Sequence, residues 1–178
     1  MRNVEIKARI TDYDKICNVA EDLSGGPATV IIQDDTFYHV NSGRLKMRFY
    51  GDSSATLVRY DREDTPEAKQ SDYDLVQFSV RDSEKARDLD NILRKCLGAK
   101  GRVVKERKLY MVGQTRIHID AVQDLGHFME LEVVLRPEQT VEEGRAIARD
   151  LQIKLGIKNE DLIDCAYVDL LGQKIKSN

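Results

Sequence analysis

The sequence predicts an α+β protein in which eight antiparallel strands form a closed or nearly closed β-barrel, a tunnel with helices packed on its outside. Three observations support this class. Apolar residues recur with a period of two in eight segments and with helical spacing in three. Eight strands against three helices favour an antiparallel sheet. Ionisable side chains occupy the alternate positions of several strands, which places them together on one face.

The 178 residues are enough for one domain, and we expect a single domain over 1–178. A chain of this length buries roughly 70% of its unfolded surface, so it needs no disulfide framework to be stable. No change in composition along the chain indicates an interdomain linker.

The helical segments are recognised by their caps and their apolar stripes. Each of the first three begins near a capping residue and ends before a glycine, and a short fourth helix lies near the C-terminal end. The predicted helices are Thr11–Leu23, Asp82–Leu97, Thr140–Leu155 and Tyr167–Leu171.

The strands are recognised by alternation between turn-forming residues. They are Val4–Ile10, Val30–Val40, Arg44–Tyr50, Ala55–Asp61, Leu75–Val80, Arg102–Val112, Arg116–Val122 and Phe128–Leu135. Between the fourth and fifth strands, the polar segment Asp61–Asp74 contains Pro66 and predicts a long exposed loop.

Composition excludes several classes of protein. The net charge is −3, from 28 basic and 31 acidic residues, so nothing favours nucleic acid or an acidic membrane as a partner. No apolar stretch approaches the ~20 residues of a transmembrane helix, and the N-terminus has no signal-peptide core. The three cysteines are far apart and odd in number, which argues against disulfides. We therefore expect a cytoplasmic protein.

The residues that alternate with the apolar ones are almost all ionisable. Glu5, Lys7 and Arg9 share one face of the first strand, and Glu130 and Glu132 share one face of the last. A half-exposed antiparallel sheet would also place polar groups outward. Such faces usually carry Thr, Ser, Gln and Tyr as well, and here the signs are sorted by strand. The pattern therefore favours a concave charged face.

A barrel of eight strands can enclose a lumen that holds one small ligand. The cationic candidates for this lumen are Lys7, Arg9, Lys46, Arg48, Arg59, Lys105 and Arg107. The acidic candidates are Glu5, Asp120, Glu130 and Glu132. Burying so many cations without partners would cost several kcal/mol per ion. The surplus predicts an oligophosphate ligand, and the carboxylates suit Mg²⁺ or Mn²⁺.

Eight short motifs follow one another across nearly the whole chain. They are Val4–Arg9, Gln33–Tyr38, Gly43–Arg48, Tyr60–Asp64, Lys105–Tyr110, Arg116–Asp120, Gly126–Glu132 and Tyr167–Leu171. In this order they resemble the CYTH family (class IV adenylyl cyclase and thiamine triphosphatase), also called triphosphate tunnel metalloenzymes. Within the family, the sequence is most similar to the class IV cyclase-like branch.

The resemblance implies an antiparallel tunnel that binds a triphosphate and a divalent metal ion. It implies phosphate binding by Lys7, Lys46, Arg48, Lys105 and Arg107, to which the alternation adds Arg9. It implies metal binding by Glu5, Glu130 and Glu132, with Asp120 as a helper or second-metal ligand. Catalysis would then fall to Glu5, Lys7, Arg107, Glu130 and Glu132. Either Arg59 or Arg62 would face the tunnel, and the alternation favours Arg59.

The sequence departs from the family at its start. The family begins with the pattern ExExK, whereas this chain has Asn3 in place of the first glutamate, followed by Glu5 and Lys7. An amide can still ligate a hard cation through its carbonyl oxygen, but it brings no negative charge. One metal site is therefore expected to be weakened or lost.

Three functions remain open on these grounds. Metal-dependent hydrolysis of a triphosphate is the first choice, with ATP, thiamine triphosphate and inorganic triphosphate as candidate substrates. Cyclisation of ATP to cyclic AMP is the alternative, and Tyr38, Phe49, Tyr50 or Tyr60 could then seat the adenine ring. A non-catalytic triphosphate- or nucleotide-binding domain is the third. Processing of RNA 5′-triphosphate ends is disfavoured because the chain has no basic surface run. The sequence leaves the oligomeric state open, a homodimer included.

Overall fold

The computed structural model of the protein describes residues 2–62 and 69–176. In this part of the chain, eight antiparallel strands close into a barrel in the order β1-β5-β4-β3-β2-β6-β7-β8. They are β1 (Arg2–Arg9), β2 (Thr29–Tyr38), β3 (Arg44–Tyr50), β4 (Ala55–Arg62), β5 (Lys69–Phe78), β6 (Ala99–Val112), β7 (Thr115–Val122) and β8 (Gly126–Val134). The predicted fold class is confirmed.

The barrel closes through β1, which pairs with β8 on one side and with β5 on the other. The β8 register runs from Asn3 opposite Val134 to Arg9 opposite Phe128. The β5 register is shorter and covers only the N-terminal half of β1, up to Glu5. The first and last strands of the sheet thus meet, and the inward side chains surround one interior.

Four helices cover the outside of the barrel within the described ranges: α1 (Tyr13–Ser24), α2 (Ser83–Leu97), α3 (Val141–Lys154) and α4 (Tyr167–Lys176). Thr140 and Glu143 form a capping box at the start of α3. The cap of α1 is Asp12, whose side chain accepts a hydrogen bond from the Lys15 amide at 3.1 Å, rather than Thr11. Helix α4 runs five residues beyond its predicted end.

The hydrophobic core lies between the barrel and the helices. Ile6, Ile117 and Leu131 are buried in the cluster that α1 and α3 cover. Met47 packs in the cluster beneath α2, and Phe128 in the cluster beneath α4. Since successive side chains of a strand point to opposite faces, the residues that alternate with these helix-facing ones point into the barrel.

The loop predicted over Asp61–Asp74 is wrong at both ends. Strand β4 continues to Arg62 and β5 begins at Lys69, whereas residues 63–68 lie outside the described part. Tyr60 pairs with Tyr73 across the two strands, and their rings stack at 5.7 Å. Part of this polar segment is therefore strand, which its composition alone does not indicate.

Candidate active site in the barrel

The interior of the barrel is a cavity of about 430 Å³ lined by charged and aromatic side chains. Among the described residues, the cations that line it are Lys7, Lys46, Arg48, Lys105, Arg107 and Arg116. The carboxylates that line it are Glu5, Asp35, Glu130 and Glu132. The ionisable faces of separate strands therefore meet in one enclosed space, as the alternation predicts.

One group of charges lies where β2 meets β3. Asp35 accepts hydrogen bonds from Lys46 Nζ at 2.9 Å and from Arg48 Nε and Nη2 at 2.6 and 2.7 Å. Its side chain is only 3% exposed. Burial alone would raise the pKa of Asp35, but Arg48 and Lys46 hold it well below its usual range. Asp35 is thus a buried counterion for two cations.

A second group lies on β6 and β7. Asp120 accepts from Lys105 Nζ at 2.9 Å, and Arg107 binds both of its oxygens at 2.6 Å. The hydroxyl of Tyr167 donates to the same carboxylate at 3.0 Å. Asp120 is fully buried, and the two cations hold its pKa low against the effect of burial.

Two lysines in these groups have lowered pKa values. Burial, followed by the nearby Arg48 guanidinium, lowers the pKa of Lys46 to about 7. Burial and the nearby Arg107 lower the pKa of Lys105 to about 8. The carboxylates next to them oppose both shifts without cancelling them. A polyanion that enters the cavity would stabilise the charged form of both lysines.

The opposite wall, formed by β1 and β8, carries most of the carboxylates. Glu5 lies directly across from Glu132, and Lys7 lies directly across from Glu130. Lys7 Nζ is 2.8 Å from Glu130 Oε1, and Arg107 Nη2 is 2.5 Å from Glu130 Oε2. Glu130 therefore links the acidic wall to the cations, whereas Glu5 and Glu132 form an adjacent acidic pair.

His118 lies beside this contact and is held neutral. Burial, followed by Arg107, lowers its pKa well below the usual value. Arg107 Nη1 lies 3.0 Å from His118 Nδ1, so Nδ1 accepts and the ring proton belongs on Nε2. His118 thus adds a neutral polar group to the cavity wall.

Asn3 lies next to the acidic pair. Its Nδ2 donates to Glu132 Oε1, and Arg116 Nη1 binds Glu132 Oε2 at 3.1 Å. Asn3 is 1% exposed, and its Oδ1 has no hydrogen-bond partner. The hydroxyl of Tyr73 donates to Glu5 Oε1. A carbonyl oxygen is a ligand type that hard cations accept, but the Asn3 side chain is buried and does not line the cavity.

The fit to a divalent metal is thus partial. No three His, Cys, Asp or Glu side chains in the described part of the chain are grouped closely enough to hold a metal ion. Mg²⁺, however, commonly binds one or two protein carboxylates and completes its shell with water and substrate phosphates. Glu5 and Glu132, which line the cavity, meet that smaller requirement.

Three of the predicted site residues do not line the cavity. Arg9 is exposed at the end of β1, with its guanidinium 4.9 Å from the centre of the Phe128 ring. Arg59 is 40% exposed and pairs with Asp61 at 2.5 Å, because its neighbours Val58 and Tyr60 take the inward positions. Asp120 has no exposed surface with which to ligate a metal. The side chain of Arg62, the alternative to Arg59, lies outside the described residues.

Of the aromatic residues considered for adenine binding, two line the cavity and two do not. Tyr50 and Tyr60 line the cavity, but Phe49 packs outward towards α2 and Tyr38 donates to Asp90 in the core. The sequence reasoning did not assign Asp35, Arg116, His118, Tyr73 or Tyr167 to the cavity. Asp35 could have been found from its parity with Gln33 and Phe37 in β2.

The closed antiparallel barrel with a charged interior places the protein in the structural class of β-tunnels, and comparison with protein families identifies the family. The CYTH domain matches residues 1–167, so the chain belongs to the CYTH family. No curated protein sequence is significantly similar to this one. No helix in residues 2–62 and 69–176 is both long and apolar enough to cross a bilayer.

Solved structures share the fold at low sequence identity. PH1012 protein from Pyrococcus horikoshii OT3 is 24% identical, with a TM-score of 0.78 over 94% of this chain and 98% of that one. A proposed adenylate cyclase from Vibrio parahaemolyticus is 18% identical, with a TM-score of 0.73 over 96% and 97%. HpAC1 from Hippeastrum is 14% identical, with a TM-score of 0.61 over 92% and 91%.

Proposed function

We propose that the protein is a divalent-metal-dependent hydrolase of a small triphosphate. The observation that carries the proposal is the enclosed cavity in which cations of β3 and β6 face the carboxylates of β1 and β8. A triphosphate needs cations along its length, and hydrolysis needs a hard metal ion at the phosphate that is transferred. The two walls supply these two requirements.

The phosphate-binding cations are Lys46 and Arg48 on β3, Lys105 and Arg107 on β6, and Lys7, which reaches them from β1. Their positive charge would stabilise the charge that spreads over the phosphoryl oxygens in the transition state. The lowered pKa values of Lys46 and Lys105 support this role, since burial and then a neighbouring arginine disfavour the charged form of each lysine. An entering polyanion would favour the charged form of both.

The metal-binding side consists of Glu5 and Glu132, which both line the cavity. Mg²⁺ or Mn²⁺ bound there would neutralise phosphate charge and lower the pKa of a coordinated water. Glu130 would hold Lys7 and Arg107 in place through its present ion pairs. It would join the metal only by giving up one of them.

Cyclisation of ATP is the second candidate, because Tyr50, Tyr60 and Tyr73 give the cavity an aromatic side. Among the structural neighbours, one is described as a proposed adenylate cyclase and HpAC1 as having a dominant triphosphatase activity. Hydrolysis remains our first choice, since the charged side chains would bind the triphosphate group whether or not a nucleoside is attached to it. Asn3 supports the third candidate, a binding domain without turnover.

The test is a product assay with inorganic tripolyphosphate and with ATP, each with Mg²⁺ or Mn²⁺. Phosphate, pyrophosphate and cyclic AMP are measured together, and tripolyphosphate binding is measured separately in EDTA. We expect phosphate release from tripolyphosphate. Equal yields of cyclic AMP and pyrophosphate from ATP would instead establish the cyclase.

Two variants separate the metal side from the phosphate side. Glu132→Gln should reduce metal-dependent turnover to background and keep tripolyphosphate binding in EDTA. Glu106→Gln, at an exposed position on β6, is the matched control and should keep both. Binding without turnover in the wild type would leave only the non-catalytic candidate. Absence of tripolyphosphate binding would overturn the proposal.

A further inference from the structure

Helix α4 begins with a side chain that contacts the charged interior. Tyr167 lines the cavity, is 5% exposed, and donates its hydroxyl proton to Asp120 at 3.0 Å. Its ring centre lies 4.0 Å from Lys7 Nζ and 4.9 Å from Lys105 Nζ. Two ammonium groups from strands that are not neighbours in the barrel therefore meet on one aromatic ring.

An aromatic ring holds an ammonium group differently from a carboxylate. The ring quadrupole attracts the cation, most strongly where both are desolvated, but it neither neutralises the charge nor accepts a conventional hydrogen bond. Each lysine carries three N–H donors. Lys7 gives one to Glu130 at 2.8 Å, and Lys105 gives one to Asp120 at 2.9 Å. The ring thus adds attraction without a second competing anion.

The chain fixes Tyr167 in this position from both sides. The amide of Ile163 donates to the carbonyl of Lys7 at 2.9 Å, so the segment before α4 is tied to β1. After Tyr167, Asp169 binds Lys100 of β6 at 2.6 Å. The ring is therefore anchored between the two strands whose lysines it contacts.

We propose that Tyr167 is a positioning residue of the triphosphate site, whose ring holds the ammonium groups of Lys7 and Lys105 where one bound phosphate chain contacts both. This role rests on the proposed function. It also gives the C-terminal helix a part in ligand binding, beyond its packing against Phe128.

The experiment is calorimetric titration of inorganic tripolyphosphate into the full chain in EDTA at pH 7. Tyr167→Leu removes the ring and should weaken binding by about thirtyfold, which corresponds to the ~2 kcal/mol of a desolvated cation–π contact. Tyr167→Phe keeps the ring and loses only the hydroxyl, so it should bind within about threefold of the wild type. If Tyr167→Leu does not fold, Tyr167→Met takes its place.

Val168→Ala is the control for helix packing. Val168 is a buried residue of α4 that packs beside Gly101 and does not line the cavity. It should lower the melting temperature and leave tripolyphosphate affinity unchanged. Equal binding by the wild type and Tyr167→Leu would overturn the positioning role, and so would equal weakening by Val168→Ala. A wild type that does not bind tripolyphosphate would instead overturn the proposed function.

Discussion

Asp35→Asn tests whether the cavity is an assembly of cations held by buried counterions. Asp35 is the acceptor for both Lys46 and Arg48, at 2.6 to 2.9 Å, and its side chain is 3% exposed. The substitution removes the negative charge and almost no volume. Lys46 and Arg48 would then lie in a low-dielectric interior with their shared carboxylate replaced by an amide.

The expected loss of stability follows from this burial. Removal of one partner from a buried ion pair costs about 3–5 kcal/mol. In a domain of this size, each kcal/mol lowers the melting temperature by about 2–4 °C, so Asp35→Asn should lower it by about 6–20 °C. Asp34→Asn is the matched control. Asp34 also binds an arginine fork, that of Arg102, but the arginine side chain is 64% exposed, and the loss should be about 0–1 kcal/mol.

The assay is thermal denaturation of the wild type and both variants at pH 7, with and without inorganic tripolyphosphate. A ligand at a hundred times its Kd stabilises a protein by about 2.7 kcal/mol. Tripolyphosphate should stabilise Asp35→Asn at least as much as the wild type, because its charge replaces that of the missing carboxylate. Equal losses for Asp35→Asn and Asp34→Asn would refute the counterion role, and failure of tripolyphosphate to stabilise either protein would refute the anion site.

Four other predictions address pH, metal binding, packing and helix propensity. Folding lowers the pKa of Lys46 from 10.5 to about 7, so Lys46 loses its charge as the pH rises through 7, and calorimetry should show a falling affinity for tripolyphosphate. Between about pH 7 and 10 the unfolded chain binds the proton that the folded chain has lost, so the free energy of unfolding of the ligand-free protein should rise with pH. Asn3→Glu adds a carboxylate beside Glu132 and should raise turnover at limiting Mg²⁺; unchanged turnover would show that Asn3 costs no metal site. Gly144→Ala, whose new Cβ would lie 2.6 Å from a leucine side chain, should lose about 1–3 kcal/mol in thermal denaturation. Gly172→Ala meets open space and should gain about 0.5–1 kcal/mol.

The strands could be predicted because antiparallel pairing leaves a period of two in the sequence. The alternation identified all eight strands and placed Lys46, Arg107 and Glu132 on inward faces. The start of β5 was missed by six residues, since its polar residues and the nearby Pro66 resemble a loop. These residues form a strand because they pair with β4, as at Tyr60 opposite Tyr73. The local sequence does not show which strand a segment will pair with.

The site was predicted less completely because the barrel interior is not uniformly charged. On β4 the inward residues are Thr56, Val58 and Tyr60, so a search for charge selects Arg59 on the wrong face. Asp120 has the predicted parity, but three neighbours enclose it, and single-strand patterns do not show what lies across the barrel. The sequence therefore predicts which face of a strand a side chain lies on more reliably than it predicts the solvent accessibility of that side chain.

The two kinds of cation in the cavity are held in different ways, and this difference determines where binding energy arises. Arg48 and Arg107 are each engaged by a buried aspartate through two hydrogen bonds, and those contacts raise their pKa values. Lys46 and Lys105 have lowered pKa values. Each of these lysines donates one hydrogen bond to the same aspartate as the neighbouring arginine, and burial is the main cause of its lowered pKa. An entering triphosphate must therefore compete with two hydrogen bonds at each guanidinium fork but with one at each ammonium group, whose charged form it also stabilises. The free energy gained on binding should therefore come mainly from the lysines, and it should depend on their protonation more than on bidentate recognition by arginine.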